Sequence, residues 1–99
     1  MLKKNFSTTG KYCRVTFKLP KETTAKNAVL CADFNDWDPN ANPMKQLKNG
    51  GFSTTVSLLT GKEYRFRYLL NNQDWENDWK ADAYAPNTFG SEDSVLDLI

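Results

Sequence analysis

A chain of 99 residues is long enough for one hydrophobic core and too short for two, so a single domain is expected rather than a multidomain enzyme. The composition, 39% hydrophobic, 25% charged and 13% aromatic with five glycines and four prolines, belongs to a globular protein and excludes disordered, collagenous and coiled-coil chains. Thirteen basic residues against twelve acidic ones leave a net charge of +1, which supplies no overall field for holding nucleic acid or an anionic membrane.

From Tyr12 to Leu19 the side chains alternate: Cys13, Val15, Phe17 and Leu19 are apolar, with Arg14, Thr16 and Lys18 between them, which predicts a half-buried strand. Pro20 to Thr24 reads as a turn. Alternation resumes from Asn27 to Phe34, placing Ala28, Leu30, Ala32 and Phe34 on one face and Cys31 on the other. Cys13 and Cys31 have no CxxC spacing and read as reduced packing residues. Asn35 to Pro43 is rich in Asn, Asp and Pro and predicts a long loop carrying Trp37. A short strand over Met44–Leu47 and a turn at Asn49-Gly50-Gly51 precede a strand with Phe52, Thr54, Val56 and Leu58 facing inward. After Thr60-Gly61-Lys62, Glu63 to Leu70 gives the clearest strand, with Tyr64, Phe66, Tyr68 and Leu70 on one face and Arg65, Arg67 and Leu69 on the other. Trp75 to Gly90 reads as polar loop, and Ser94–Leu98 as the last strand. Six or seven short strands and no helical period predict an all-β fold, a small antiparallel β-sandwich forming a single domain over 1–99 with its core at about 12–98.

The chemistry available is narrow. With no histidine, triad hydrolysis and His-metal chemistry lose their usual base and ligand. Paired carboxylates can do glycosidase work, and Asp36, Asp38, Asp74, Glu76 and Asp78 offer candidates beside tryptophans, but they read as solvated loop residues. Asp36, Asp38 and Asn40 match the first positions of a calcium loop until Ala41 and Leu47 stand where Gly and Glu are required, so no metal and no cofactor is expected. Arg65 and Arg67 beneath aromatic loops suit single-stranded nucleic acid, but the acidic residues of those loops oppose a phosphate backbone. No apolar run of about 18 residues is present, and Met1 to Phe6 lacks an apolar leader, so no membrane partner and a cytoplasmic location are expected; the Asn5-Phe6-Ser7 sequon matters only for an exported chain. Trp37 and Trp75 sit in polar turns. They either fold back over the ends of the sandwich or offer flat apolar faces to a partner such as a pyranose ring.

Several segments in order carry a family resemblance: Val15-x-Phe17, Phe34-Asn35-Asp36-Trp37, Gly51-Phe52, Gly61-Lys62-Glu63-Tyr64-Arg65-Phe66-Arg67-Tyr68, Trp75, Asn87-x-Phe89-Gly90 and Ser94-Val95. Over Tyr12 to Leu98 the chain resembles carbohydrate-binding module family 48, also called the glycogen-binding module, the isoamylase N-terminal domain or the early-set domain. The family occurs in branching and debranching enzymes and in the β subunit of AMP-activated protein kinase. The resemblance implies an immunoglobulin-like sandwich of early-set type with six to eight short strands. It also implies a non-catalytic carbohydrate-binding module for α-1,4-glucan of the glycogen or starch kind, with no catalytic residues. By position, Trp37 and Trp75 match the two tryptophans that stack on glucose. Arg65 matches a basic residue, commonly Lys, that bonds sugar hydroxyls. Phe89 matches an apolar loop residue, usually Leu, and Ser91 a hydroxyl position, commonly Thr. Asp93 stands where the pattern typically has Asn, and Ala32 where it has Gly. Trp79 lies outside the pattern and reads as edge packing. The alternative is an accessory module that docks on a separate glucan-metabolising enzyme or kinase without binding sugar itself.

Overall fold

The computed structural model describes residues 2–99. Among these described residues nine strands are formed: β1 (Leu2–Phe6), β2 (Tyr12–Leu19), β3 (Ala28–Ala32), β4 (Lys45–Gln46), β5 (Phe52–Leu59), β6 (Glu63–Leu70), β7 (Asp74–Glu76), β8 (Ala83–Pro86) and β9 (Glu92–Asp97). They make two antiparallel sheets. The first has the order β1-β2-β5-β4 and the second β3-β6-β9-β8, with β7 pairing the end of β6 beyond β9.

The alternation read from the sequence defines the inner faces. Cys13, Val15 and Phe17 of β2 stand opposite Leu58, Val56 and Thr54 of β5, so the middle of the first sheet's inner face is largely apolar. Ala28, Leu30 and Ala32 of β3 and Tyr64, Phe66 and Tyr68 of β6 supply the facing layer, and all six are buried. Phe17 meets Phe66 edge-on at 5.1 Å between ring centroids, and Phe66 meets Tyr68 at 5.7 Å. Tyr68 donates to Asp78 Oδ2 at 2.7 Å, and burial together with the Asp78 carboxyl pushes its phenol well above the ordinary tyrosine range. Gly51 is required by close approach: a Cβ there would lie 2.6 Å from the Leu19 carbonyl oxygen.

Three strands escape the sequence reading. β1 carries Lys4 on its inward row, where Nζ reaches Asp82 Oδ2 (2.8 Å) and the Asp97 carbonyl (3.0 Å) and ties the edge of one sheet to the other. That inward charge erases the apolar alternation while guarding an exposed edge. β7 has three residues and β8 four, both inside a stretch whose polarity predicts loop. The Asn27–Phe34 alternation also ends early: β3 stops at Ala32 and a 3-10 turn covers Asp33–Asn35, with Phe34 still packed on the core. Among the described residues no helix is long and apolar enough to cross a membrane.

Candidate functional site

All five residues of β3 are buried, which a strand with one face in the core does not require. Val29 and Cys31 point to the outer face of the second sheet, where Val29 stands opposite Leu69 and Cys31 opposite Arg67. The cover over them is Trp37, which packs half-buried on the cluster of Val29, Cys31 and Leu69. Burial, and secondarily the charge of Asp38, push the Cys31 thiol upward, so it stays a protonated packing group; Cys13 lies in the interior instead, and both are free.

The motif around Trp37 has a local cause. Asn35 Oδ1 accepts from the Ala32 N–H (2.9 Å), and its amide donates to the Leu30 carbonyl (3.0 Å) and to Asn42 Oδ1 (2.7 Å). One side chain thus fastens both ends of the loop to β3. The Trp37 N–H donates to the Ala32 carbonyl (2.8 Å), while Asp36 and Trp37 both adopt φ of 57°. A left-handed backbone is tolerable for Asp and strained for Trp, and it persists here because Asn35 and the apolar floor over-determine the loop.

Trp75 stands directly opposite Leu69 on β7, so its side chain emerges on the same outer face as the floor of Trp37. It is 45% exposed, with the Arg67 guanidinium carbon 5.5 Å from its ring centroid. The two tryptophans therefore flank Leu69 and Arg67, a proximity that sequence spacing left undetermined. Arg67 Nε is buried with no hydrogen-bond partner among the described residues. Arg67 and Leu69 were legible as a second face of β6, and a leucine in that polar row was the sign that part of the face is covered.

Arg65 lies farther along the same face, opposite Val95 of β9. Its Nη1 donates to the Pro86 carbonyl (3.3 Å) and sits 3.7 Å from Asp93 Oδ2; the Arg65 side chain is 47% exposed, that of Asp93 only 9%. Asp93 is thus a buttress for Arg65, tied also to Asn87 Nδ2 (3.1 Å), rather than an open surface group. Asn87, part of the motif but not among the positions expected to meet sugar, organises the next loop: its Oδ1 accepts from the N–H groups of Phe89 (2.9 Å) and Ser91 (3.2 Å), and Nδ2 donates to Ser91 Oγ (3.0 Å). Gly90 takes the positive φ the turn demands, 79°, and Phe89 projects from the tip 89% exposed. All six predicted positions, Trp37, Arg65, Trp75, Phe89, Ser91 and Asp93, belong to this one face or to the loop at its border.

The carboxyls take other roles. Asp36, Asp38 and Asp74 are exposed, and Asp38 Oδ1 accepts from the Asn40 N–H (2.8 Å) to close a local turn. Asp78 is buried against Tyr68 and caps its own segment through the Lys80 N–H (2.8 Å). No cluster of three or more His, Cys, Asp or Glu side chains suited to a metal ion occurs among the described residues. Trp79, expected at a packed edge, is instead 65% exposed, its Nε1 donating to Glu76 Oε1 at 3.1 Å.

The family model for carbohydrate-binding module 48 (isoamylase N-terminal domain) matches residues 10–85. A 1,4-alpha-glucan branching enzyme GlgB of Butyrivibrio fibrisolvens is 38% identical over 63 residues, 62% of this chain and 10% of that enzyme. The GlgB of Protochlamydia amoebophila (strain UWE25) is 36% identical over 63 residues, again 62% of this chain and 8% of the enzyme. The chain therefore spans about a tenth of the length of these curated relatives. Trp37, Arg65 and Trp75 fall inside the family match, whereas Phe89, Ser91 and Asp93 lie beyond it.

Proposed function

Because this chain belongs to carbohydrate-binding module family 48, we propose that it is a non-catalytic module that binds α-1,4-glucan on the outer face of its second sheet. The observation that carries this reading is the pairing of an exposed Trp75 with a Trp37 held in a strained left-handed backbone on the same face. Strain retained at a surface aromatic is explained by a ligand that needs the ring in that place. The two indoles cover the C–H faces of successive glucose rings. Arg65, oriented by Asp93 and the Pro86 carbonyl, donates to hydroxyls at the rim, Ser91 adds a hydroxyl, and Phe89 closes on the sugar from the loop tip. Shallow apolar platforms with a few directed polar groups give micromolar to millimolar affinity, about −8 to −4 kcal/mol.

Titration with maltoheptaose and β-cyclodextrin, followed by tryptophan fluorescence, tests the proposal. A saturable change is expected that weakens by about 30-fold in both Trp37→Ala and Trp75→Ala and that cellohexaose does not reproduce at the same concentration. No response up to roughly 10 mM, weaker than about −3 kcal/mol, sinks it.

One observation favours a second reading, docking on a separate glucan-metabolising enzyme. Tyr12 and Leu59 face each other across β2 and β5 on the outer side of the first sheet, 51% and 55% exposed. If that apolar pair is the docking surface, Tyr12→Lys releases the partner and leaves glucan affinity unchanged.

A further inference from the structure

A cavity of about 180 Å³ opens at one end of the sandwich, between the turn after β2 and the segment after β7. Its walls include Leu19, Thr23, Thr24, Leu70, Asn77 and Trp79. We propose that this cavity is a second saccharide site, separate from the platform of Trp37 and Trp75, and that it takes a single neutral hexopyranose ring.

Position comes first. Strand alternation sends Trp75 to the outer face, whereas Glu76, opposite the inward Tyr68, points the other way and lines the cavity. The two sites therefore lie back to back across β7, and one sugar ring cannot occupy both.

The ring of Trp79 is held and yet left open. Its Nε1 is bonded to Glu76, yet the residue is 65% exposed and forms part of the cavity wall. The segment beneath it is anchored: the Asp78 N–H donates to Ser94 Oγ (2.9 Å), the Lys80 N–H to Asp78 Oδ1, and the Tyr84 hydroxyl to the Asp78 carbonyl. An exposed indole on an anchored segment is a preorganised aromatic surface.

The lining decides the ligand class. Leu19, Pro20 and Leu70 give apolar wall, and Thr23, Thr24 and Asn77 give short donors and acceptors. Among the described residues no partner engages the Thr23 and Thr24 hydroxyls. Lys18 and Lys80 stand against Glu22, Glu76 and Asp78, a mixed-sign lining that favours no strongly charged ligand. An apolar face with hydroxyls around its edge is the complement of such a wall, and the volume, below the roughly 300–1,000 Å³ of sites for drug-sized ligands, fits one ring rather than a chain. Two sites on one small module would raise its avidity for a branched polysaccharide through effective concentration. This inference goes beyond the platform reading and stands or falls separately from it.

The Trp37→Ala/Trp75→Ala double variant leaves Trp79 as its one tryptophan, so fluorescence and the indole N–H resonance both report on this cavity. With methyl α-glucoside or maltose, a saturable Trp79 shift with Kd on the order of millimolar is expected, weakened at least threefold by adding Thr23→Val. The same Trp79 resonance, followed in the unaltered chain, guards against misfolding of the double variant. A Trp79 signal that stays still in both proteins up to roughly 50 mM sugar, or that moves equally with sorbitol, which has the hydroxyls without the pyranose face, overturns the proposal. A Trp79 response without any response of Trp37 or Trp75 upholds this site and sinks the platform.

Discussion

The loops at 33–43 and 87–91 border the same sheet face, and each is organised by one asparagine, yet they present their aromatic residues in opposite ways. Asn35 ties its loop to backbone groups of Leu30 and Ala32, both fully buried, and the loop lays Trp37 down on Val29, Cys31 and Leu69. Asn87 ties its loop mainly to itself, through the N–H groups of Phe89 and Ser91, with Asp93 as its link to the sheet, and leaves Phe89 standing 89% exposed. The first ring is therefore positioned by the same contacts that fold the core. The second is positioned by a small network open to water, which competes for each bond. In the proposed glucan complex Trp37 would have little freedom left to lose, whereas ordering a side chain such as Phe89 would cost about 0.5–1.5 kcal/mol.

The widest separation between the loops is expected from removing their asparagines. Asn35→Ala strands the buried Ala32 N–H and Leu30 carbonyl, at about 1–3 kcal/mol each. Thermal unfolding should move down by at least about 5 °C on the scale of a domain this size, and glucan binding should disappear. An Asn35→Ala protein with an unchanged midpoint would break the claim that this loop belongs to the core. Next comes Trp37→Ala, expected to weaken maltoheptaose binding by about 30-fold, equivalent to about 2 kcal/mol, as truncation of a central aromatic does. Trp37→Gly should bind equally poorly and fold more stably than Trp37→Ala by about 1 kcal/mol, because glycine accepts the φ of 57° without strain. Calorimetry on the pair isolates that backbone effect, and equal stabilities would show that residue 37 carries no strain.

What the sequence revealed follows the same division. β2 and β6 were readable because their inward rows are uninterrupted, Cys13-Val15-Phe17-Leu19 and Tyr64-Phe66-Tyr68-Leu70, and β5 because only Thr54 breaks its row. β1 was hidden by Lys4, whose charge points inward to Asp82 and the Asp97 carbonyl, and β8 by its brevity. The candidate site residues were picked out by motif, but their mutual arrangement was not: the pairing of β7 with β6, Leu69 opposite Trp75, brings Trp75 onto the face beneath Trp37. Nor does a charge pattern show that Asp93 is spent on Arg65 and Asn87. The pairing of short strands and the burial of single charges depend on tertiary neighbours, which local periodicity does not encode. A trace existed in Val29, Cys31 and Leu69, apolar residues on a face that should be polar.

The smallest effects belong to the second loop, where they are the sharpest test of the contrast. Phe89→Ala removes a ring that is 89% exposed, so the stability should stay within about 0.5 kcal/mol of the parent. Affinity for maltoheptaose should fall only about three- to fivefold, or about 1 kcal/mol, because part of what the ring gives the sugar is offset by ordering it. Asn87→Ala should do nearly the same by a different route: it keeps the ring and frees the loop, so the loss is entropic and the fold is again little changed. Isothermal titration distinguishes the two, with binding enthalpy diminished in Phe89→Ala and a larger entropic penalty in Asn87→Ala. If Phe89→Ala instead matched the 30-fold loss of Trp37→Ala, the exposed loop would be as preorganised as the buried one. The difference between a ring seated on the sheet and a ring held out from it would then have no bearing on affinity.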